Sequence, residues 1–396
     1  MNPINIFESE CPSDWMRVRA QHVFSNVSER RTEDDVQLSS SQKYGVLPQS
    51  LLMEMEGVKY ALAHTGINGF KKILCKDFLI SLRSFEGGFE MSSYDGCVSP
   101  AYTVLRPNSA ICHEYWKYVF KSNLFIGMLG AYNIGIRDGK SVRYDDFANC
   151  ILAIPNLSLQ NKIAKYITQE TARIDTLIEK SNNLIKLLKE KRQAVITEAV
   201  TKGLNPNVPM KDSGIEWMGE VPEHWVIKRI KWEAKAYSGK DNKSLQGVYP
   251  LYGANGVIGF SDRASMRSPG VLIGRVGSAG SITFIDEASG VSDNALIYSN
   301  KSFTAPRFDY YLLQSINFEM DISRNAQPLI TATDIQEKIV CVPIDLAERI
   351  SIATYLDSFT LRIDSLLEKS LKLINLLKEK RQSIITEAVT GKIDLR

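Results

Sequence analysis

Downstream of Pro155 the chain settles into a regular alternation. Apolar residues recur at three- and four-residue steps through Ile163, Ile167, Ile174, Leu177, Ile178, Leu184, Ile185, Leu188 and Val195, with lysine and glutamate filling the positions between them. That spacing describes one face of an α-helix, and no proline or glycine interrupts it before Gly203. Asn156 stands where an N-cap belongs. At the head of a second such stretch Asp345 stands there with Glu348 three residues on, a capping-box pattern. A helix of about 45 residues would be about 65 Å long. No small domain can enclose it, so it is expected to pack along another of its kind.

The second stretch supplies that partner. Arg173 to Thr201 and Arg362 to Thr390 are identical at 22 of 29 positions with a constant offset of 189. Ile363, Leu366, Leu367, Ser370, Leu373, Ile374 and Leu377 fall on the same stripe, and even its polar member is shared, as Ser181 and Ser370. Two equal helices with matching faces predict a two-stranded coiled coil. Its expected core is Ile174, Leu177, Ser181, Leu184 and Leu188 against Ile363, Leu366, Ser370, Leu373 and Leu377. The region between them, 209–343, must leave the end of one helix and re-enter at the start of the next. A domain of that size is about 35–40 Å across, so it bridges adjacent ends more readily than distant ones, and antiparallel pairing is expected.

Outside the helices the pattern changes. Residues 1–155 carry short apolar runs, such as Phe78-Leu-Ile-Ser-Leu and Ala101-Tyr-Thr-Val-Leu, between turn signals at Gly66, Gly69, Gly87-Gly88 and Asp95-Gly96. His113 to Lys121 has helical spacing of aromatics, so an α+β domain is expected. Residues 204–222 read as a proline- and glycine-rich linker, and 223–343 repeats the texture of the first domain. Phe78-Leu-Ile-Ser aligns with Val271-Leu-Ile-Gly at an offset of 193, which also brings Gly87 onto Gly280 and Val98-Ser99 onto Val291-Ser292. Trp15 three residues after Pro12 echoes Trp225 three after Pro222. The expected architecture is α+β with a pseudo-two-fold internal duplication. Two similar globular domains (1–155 and 223–343) are each followed by a long helix (156–203 and 344–396), and the helices form an antiparallel coiled coil. The helices are nearly identical whereas the domains diverge, so something demands sameness of the one and difference of the other.

Composition narrows the class without naming a function. A chain of 396 residues, 44% hydrophobic and 23% charged, is long enough to bury two or more cores. A net charge of +3 is too mild to identify a partner by itself. The six cysteines are scattered with no C-x-x-C pair, which disfavours a disulfide framework or a zinc site and fits reduced thiols. The start of the chain lacks a basic segment followed by an apolar one, and the apolar stretch near Leu124 to Ile136 is too short to span a bilayer. A cytoplasmic location with no membrane partner is expected.

Motifs for catalysis are missing. The series Gly274-Arg-Val-Gly277-Ser-Ala-Gly280-Ser281 lacks the G-K-[ST] ending of a P-loop and the spacing of a dinucleotide fingerprint, so it reads as a strand end and a turn. His22, His64, His113 and His224 have no evident catalytic partner, and no nucleophile, base and orienter assemble. The repeated Lys-Glu-Lys-Arg-Gln run (Lys189 to Gln193, Lys378 to Gln382) reads as the solvated side of a coiled coil in preference to a phosphate contact. Ile196, Ala199, Ile385 and Ala388 are left over as a docking surface for another chain.

Several stretches carry a family resemblance. They are Gly214-Ile-Glu-Trp-Met-Gly-Glu-Val-Pro-Glu-His-Trp, Tyr249-Pro-Leu-Tyr-Gly-Ala-Asn-Gly, Ser41-Gln-Lys-Tyr-Gly-Val-Leu-Pro, and the two helices ending in Leu-Leu-Lys-Glu-Lys-Arg-Gln. In their duplicated order the chain resembles the specificity subunit of type I restriction-modification systems, the HsdS family. The resemblance implies a non-catalytic subunit whose two target-recognition domains each read one half of a split double-stranded DNA target. It implies two methyltransferase subunits docked on the helices, methylating adenine N6 with S-adenosylmethionine that they bind themselves. It further implies restriction (endonuclease and translocase) subunits using ATP and Mg, and no cofactor in this chain. Base readout demands side chains that vary, whereas one methylase bound twice demands helices that do not.

Candidate DNA contacts are polar or basic residues in loops after strands: Lys43, Arg137, Lys140 and Arg143 in the first domain, and Asn255, Arg263, Arg275, Arg324, Asn325 and Gln327 in the second. Arginine, asparagine and glutamine are the side chains able to bond a base edge bidentately. A coiled-coil adaptor between proteins is the competing class, and a glycan-binding or hydrolytic enzyme is disfavoured by the missing acid-base pair.

Overall fold

The computed structural model describes residues 6–57, 69–81, 88–131, 142–267, 269–300, 305–319, 321–323 and 328–395. The turn signals Gly66 and Gly87 and the imidazole of His64 lie outside them. Two long helices, Leu157–Lys202 and Leu346–Val389, run through a mixed α+β structure. The chain forms two compact units, Met1–Ser181 with Lys372–Arg396, and Asn182–Leu371, so each unit takes about half of each helix.

In the first unit a four-stranded antiparallel sheet has the spatial order Phe24–Val27, Thr103–Pro107, Phe78–Ile80, Phe89–Met91. The antiparallel ribbon Met16–Arg19 with Ile151–Ile154 lies at the entry to the long helix. Phe24, Phe78, Phe89, Trp116, Phe120 and Phe147 are fully or almost fully buried, and their rings meet edge-on or tilted at centroid distances of 5.0–6.0 Å. Full burial of each such ring contributes about 1.5–3 kcal/mol, which makes this cluster the main anchor of the unit. Ile163 and Ile167 of the first long helix and Ile385, Ala388 and Val389 of the second complete the same core. Tyr115, buried on the helix His113–Lys121, donates from its hydroxyl to the carbonyl of Val389 at 3.0 Å. Gly391 then ends the second helix at φ +70°, where a Cβ would come within 2.8 Å of Trp15 and Pro12.

The second unit repeats this plan with other residues. Its four-stranded antiparallel sheet runs Ala234–Ser238, Ala295–Asn300, Gly270–Gly274, Ile282–Ile285, and Val226–Arg229 pairs antiparallel with Ile339–Val342. Val271, Ile273, Leu296, Phe308 and Leu312 form the core with Ile196, Ala199 and Val200 of the first helix and Ile352, Ala353 and Leu356 of the second. Gly203 ends the first helix at φ +73°, with Trp225 packed over it. A second sheet, Gly256–Ser261, Tyr249–Gly253 and Gly290–Val291, stands beside the first. Asp309 is buried on the helix Pro306–Ser315. Burial raises its pKa to about 6, against the Asn300 side-chain amide donating at 2.9 Å and the charge of Arg349.

In each unit the two helix segments run in opposite directions. Arg381 Nε lies 2.9 Å from Asp175 Oδ1 in the first unit, and Arg192 Nε lies 3.2 Å from Asp364 Oδ1 in the second. The repeat offset of 189 maps either ion pair onto the other. Gln382 Nε2 donates to the Lys121 carbonyl and Gln193 Nε2 to the Gln314 carbonyl, again matching positions. The ends of the Lys-Glu-Lys-Arg-Gln runs are therefore used internally, while Lys189 and Lys378 remain in solvent.

Four expectations are corrected. First, Leu177, Leu184, Leu366 and Leu373 are 43–48% exposed. Buried or half-buried positions are Thr171, Ile174, Ile178, Ser181, Ile185 and Leu188, with Ile363, Leu367, Ser370, Ile374 and Leu377 on the other helix. Every second turn offers two adjacent apolar residues, and the inner stripe follows steps of four and three, the 3.5-residue period of supercoiled helices, taking the second residue of each pair where the first was expected. Ser181 and Ser370 are buried as expected and satisfy their hydroxyls on the carbonyls of Leu177 and Leu366 at 2.8 Å. Second, Ile196, Ala199, Ile385 and Ala388 are at most 3% exposed, because they are core residues of the units and present no docking surface. Third, Asn156 caps as expected, accepting from Leu159 N at 2.9 Å, and Asp345 accepts from Ala347 N at 3.0 Å. Glu348 closes no capping box, because its carboxylate accepts from Trp225 Nε1 at 3.0 Å and meets His224 Nε2 at 2.9 Å. The expected linker also has structure: Met210–Asp212 pairs with Glu220–Pro222, burying Met218 and Val221 in the second unit.

Candidate nucleic-acid interface

In the second unit the described candidates, Asn255, Arg263 and Arg275, sit by the turns of the smaller sheet and at the end of a central strand. Asn255 occupies the two-residue turn between paired Gly253 and Gly256, and Gly256 takes φ +104°, a backbone conformation that L side chains rarely adopt. Asn255 is exposed, as is Arg263 just past the second hairpin strand, whose backbone N–H donates to Ser261 Oγ at 3.2 Å. Arg275 is half-buried. Its Nη1 donates to the Asp293 carbonyl at 3.2 Å and to Ser238 Oγ at 3.4 Å, and its carbonyl accepts from Ile330 N at 3.0 Å. Arg275 therefore braces the strand ends through its backbone and Nη1.

The glycine series after that strand closes on itself. Gly274 N donates to Ser281 O, Gly280 N to Gly274 O and Gly277 N to Pro328 O, all within 3.2 Å. Gly277 and Gly280 take φ +78° and +80°. With its N–H groups spent on carbonyls, the loop presents no phosphate cradle, in keeping with the strand-and-turn reading.

In the first unit Lys43 lies in the turn of the hairpin Leu38–Ser41 with Gly45–Pro48 and is exposed. Its ammonium stands 4.7 Å from the Tyr44 ring centre, and hydrogen bonding to Tyr44 raises its pKa. Arg143, also exposed, precedes the short helix Tyr144–Ala148. Arg137, Lys140, Arg324, Asn325 and Gln327 lie outside the described residues. Within their own units, Asn255 and Arg263 share the small sheet, whereas Lys43 and Arg143 come from separate elements.

Two largely buried carboxylates and their cations hold the fold. Arg349, 5% exposed at its side chain, bonds both Glu233 oxygens at 3.2 Å, and Lys228 joins the same carboxylate. Burial pushes the Glu233 pKa up, but these two cations outweigh it and the net shift is downward. Arg106 likewise forks onto buried Asp77. Sequence reasoning missed the loop after Ala234–Ser238, which presents Lys240, Lys243, Leu245 and Val248 to solvent. Its signal was there, in two isolated apolar residues set among Lys, Asn, Ser, Gln and Gly.

Among the described residues no helix is long and apolar enough to cross a membrane, and no group of three or more His, Cys, Asp or Glu could hold a metal ion. The fold is mixed α+β with long helices and polar loops around two sheet systems. No family model matches the chain. Curated relatives do. The specificity subunit of the type I restriction enzyme EcoprrI from Escherichia coli is 27% identical over 131 residues, 33% of this chain and 32% of that one. The specificity subunit of the type I restriction enzyme MjaVIII from Methanocaldococcus jannaschii is 25% identical over 287 residues, 63% of this chain and 64% of that one. The matches thus span less than two thirds of either relative. The fold agrees more completely. A structure solved in work on assembly and conformational transition of the type I R-M system aligns with a TM-score of 0.76 at 17% identity, over 97% of this chain and 99% of that one. The HsdS subunit of Thermoanaerobacter tengcongensis aligns with a TM-score of 0.58 at 18% identity, over 97% and 98%. In sequence the chain is similar to specificity subunits of type I restriction enzymes, and in fold to the solved HsdS structure.

Proposed function

We propose that this chain is the non-catalytic sequence-reading subunit of a type I restriction-modification complex. Each α+β unit reads one half of a bipartite double-stranded DNA target, and the paired long helices, as an antiparallel coiled coil, set the distance between the halves. Two adenine-N6 methyltransferase subunits, carrying their own S-adenosylmethionine, bind the duplicated helices, and ATP- and Mg-dependent restriction subunits join for cleavage. The observation that supports the reading is the contrast between the two kinds of element. The helices keep 22 of 29 residues and use them for the same ion pair and the same glutamine contact in each unit, whereas equivalent sheets carry unrelated surface loops. A partner bound twice holds the former alike, and two different half-sites drive the latter apart.

The test is reconstitution. With a methyltransferase partner the chain should bind one DNA sequence with affinity that falls steeply with salt, as phosphate contacts require. Alone it should transfer no methyl group. Methyl transfer by the isolated chain would overturn the proposal, and salt-insensitive assembly without DNA preference would favour the protein adaptor.

A further inference from the structure

The loop Lys240 to Val248 of the second unit is fixed at its base yet apolar at its tip. Asp241 is buried, its backbone N–H donates to the Val291 carbonyl at 2.9 Å, and its carboxylate accepts from Val291 N at 2.9 Å and Ser265 N at 3.2 Å. Ser244 N donates to the Phe260 carbonyl at 2.9 Å, which seats the loop beside the edge strand Gly256–Ser261. Gly247 passes so close to that strand that a Cβ would lie 2.6 Å from the Ser261 backbone. Held in this way, the loop leaves Leu245 fully exposed, Val248 74% exposed and the neighbouring Phe260 54% exposed. Single exposed apolar residues are ordinary. Leu245 and Val248 on the braced loop, with Phe260 at the strand end beside it, forgo a burial worth about 1.5–3 kcal/mol each, which calls for an occupant.

The charge around them identifies its chemistry. Asp241 spends its carboxylate on backbone N–H groups, so the loop's own charges left in solvent are Lys240 and Lys243, both positive, while Asp262 and Arg263 just past the strand offset one another. The stem of Lys243 lies along the strand, about 3.4 Å from where Gly259 would carry a Cβ. Cations flanking an apolar tip complement a polyanion that offers an apolar recess. A DNA major groove at a T·A pair does this, with phosphates on its rims and the thymine C5-methyl on its floor. We infer that Leu245, Val248 and Phe260 form an apolar contact that reads thymine methyl groups in the half-site of the second unit, with Lys240 and Lys243 on flanking phosphates. The inference rests on the DNA-reading proposal and names the residues that carry part of its specificity.

The experiment uses the full chain assembled with its methyltransferase partner, on duplexes of the methylated target in which each thymine of one half-site is replaced in turn by uracil, which differs only in that methyl. At one position at least, wild-type affinity should fall about fourfold, the worth of one buried methyl, and Leu245→Ala together with Phe260→Ala should abolish that sensitivity. Both side chains lie at the surface, so the variants should fold, and a melting curve within a degree or two of wild type confirms it. Indifference of the wild type to uracil at every position, a half-site without a T·A pair, or undiminished sensitivity in the variants would each overturn the inference while leaving sequence-specific binding intact. Loss of methyltransferase assembly with an unchanged target would also overturn it, by making the patch a protein contact. Absence of any sequence-specific binding by the wild-type complex would instead refute the DNA-reading proposal itself.

Discussion

Replacing Glu348 tests how the long helix is fastened to its unit. Trp225 is 1% exposed, and its Nε1 has one acceptor, Glu348 Oε1 at 3.0 Å, while the other carboxylate oxygen meets His224 Nε2. The structure contains its own comparison. In the first unit Trp15 occupies the equivalent place, 5% exposed, and the position 189 residues before Glu348 is Leu159. There the indole Nε1 is buried without a hydrogen-bond partner among the described residues. Glu348→Leu would recreate that situation in the second unit. Leaving a buried donor unsatisfied costs about 1–3 kcal/mol, and loss of the half-exposed histidine contact adds about 0–1 kcal/mol. Packing of the new leucine returns part of this, so a net loss of about 1–2 kcal/mol is expected. Glu348→Gln keeps an acceptor and should lose less than half as much. Urea unfolding followed by tryptophan fluorescence measures both. If Glu348→Leu matched the wild type, or if Gln and Leu were equally damaging, the Trp225 hydrogen bond would not be what fastens this helix.

Three further outcomes follow from the packing and titration. Burial raises the Asp309 pKa to about 6 from 3.8, so the folded state favours the neutral acid, and that contribution is complete below pH 3.8 and lost as pH rises through 6. Asp309→Asn should be more stable than wild type at pH 8 by about 1–3 kcal/mol and indistinguishable near pH 3.5; thermal melts at the two pH values read the difference, and an equal gain at both would contradict it. Gly391→Val should destabilise the first unit more than Gly203→Val destabilises the second, since both glycines have positive φ but a Cβ meets Trp15 at 2.8 Å in one and Trp225 at 3.4 Å in the other. Proteolysis rates of the two variants order them, and the reverse order would refute the contact argument. Asp175→Arg should weaken its unit by about 0.5–1 kcal/mol through repulsion with Arg381, with recovery in the Asp175→Arg/Arg381→Asp double variant measured in the same melts.

The helices were legible because their apolar period survives over more than forty residues with no breaker. Their phase was less so. Leu177 and Ile178, or Leu373 and Ile374, are adjacent and equally apolar, and only the partner's surface decides which turns inward. The strand runs Phe78 to Ile80 and Val271 to Ile273 could be aligned from sequence because each is buried on both faces and continuously apolar. Tertiary context hid the rest. Glu348 follows a capping rule locally but is taken by Trp225, 123 residues away. Ile196 and Ile385 look like leftovers of a helical stripe until a globular core closes over them. Loop residues obey no period, so Arg275 could not be told from Arg263 by type, although one is half-buried with Nη1 on the Asp293 carbonyl and the other is exposed. An isolated leucine in a polar run, such as Leu245, reads as an ordinary surface residue.

The proposal that two reading units are held apart by a helical rod is tested most directly by sequencing methylated adenines in cells carrying the chain with its methyltransferase partner. The wild type is compared with a variant bearing one extra heptad in each helix, inserted within Asn182 to Leu187 and at the matching place in the second helix. A heptad adds about 10 Å, about three base pairs of duplex at 3.4 Å each. The account predicts a two-part motif whose half-site bases are unchanged and whose spacer is longer by about three base pairs. Altered half-site bases with an unchanged spacer, or methylation independent of this chain, would contradict it.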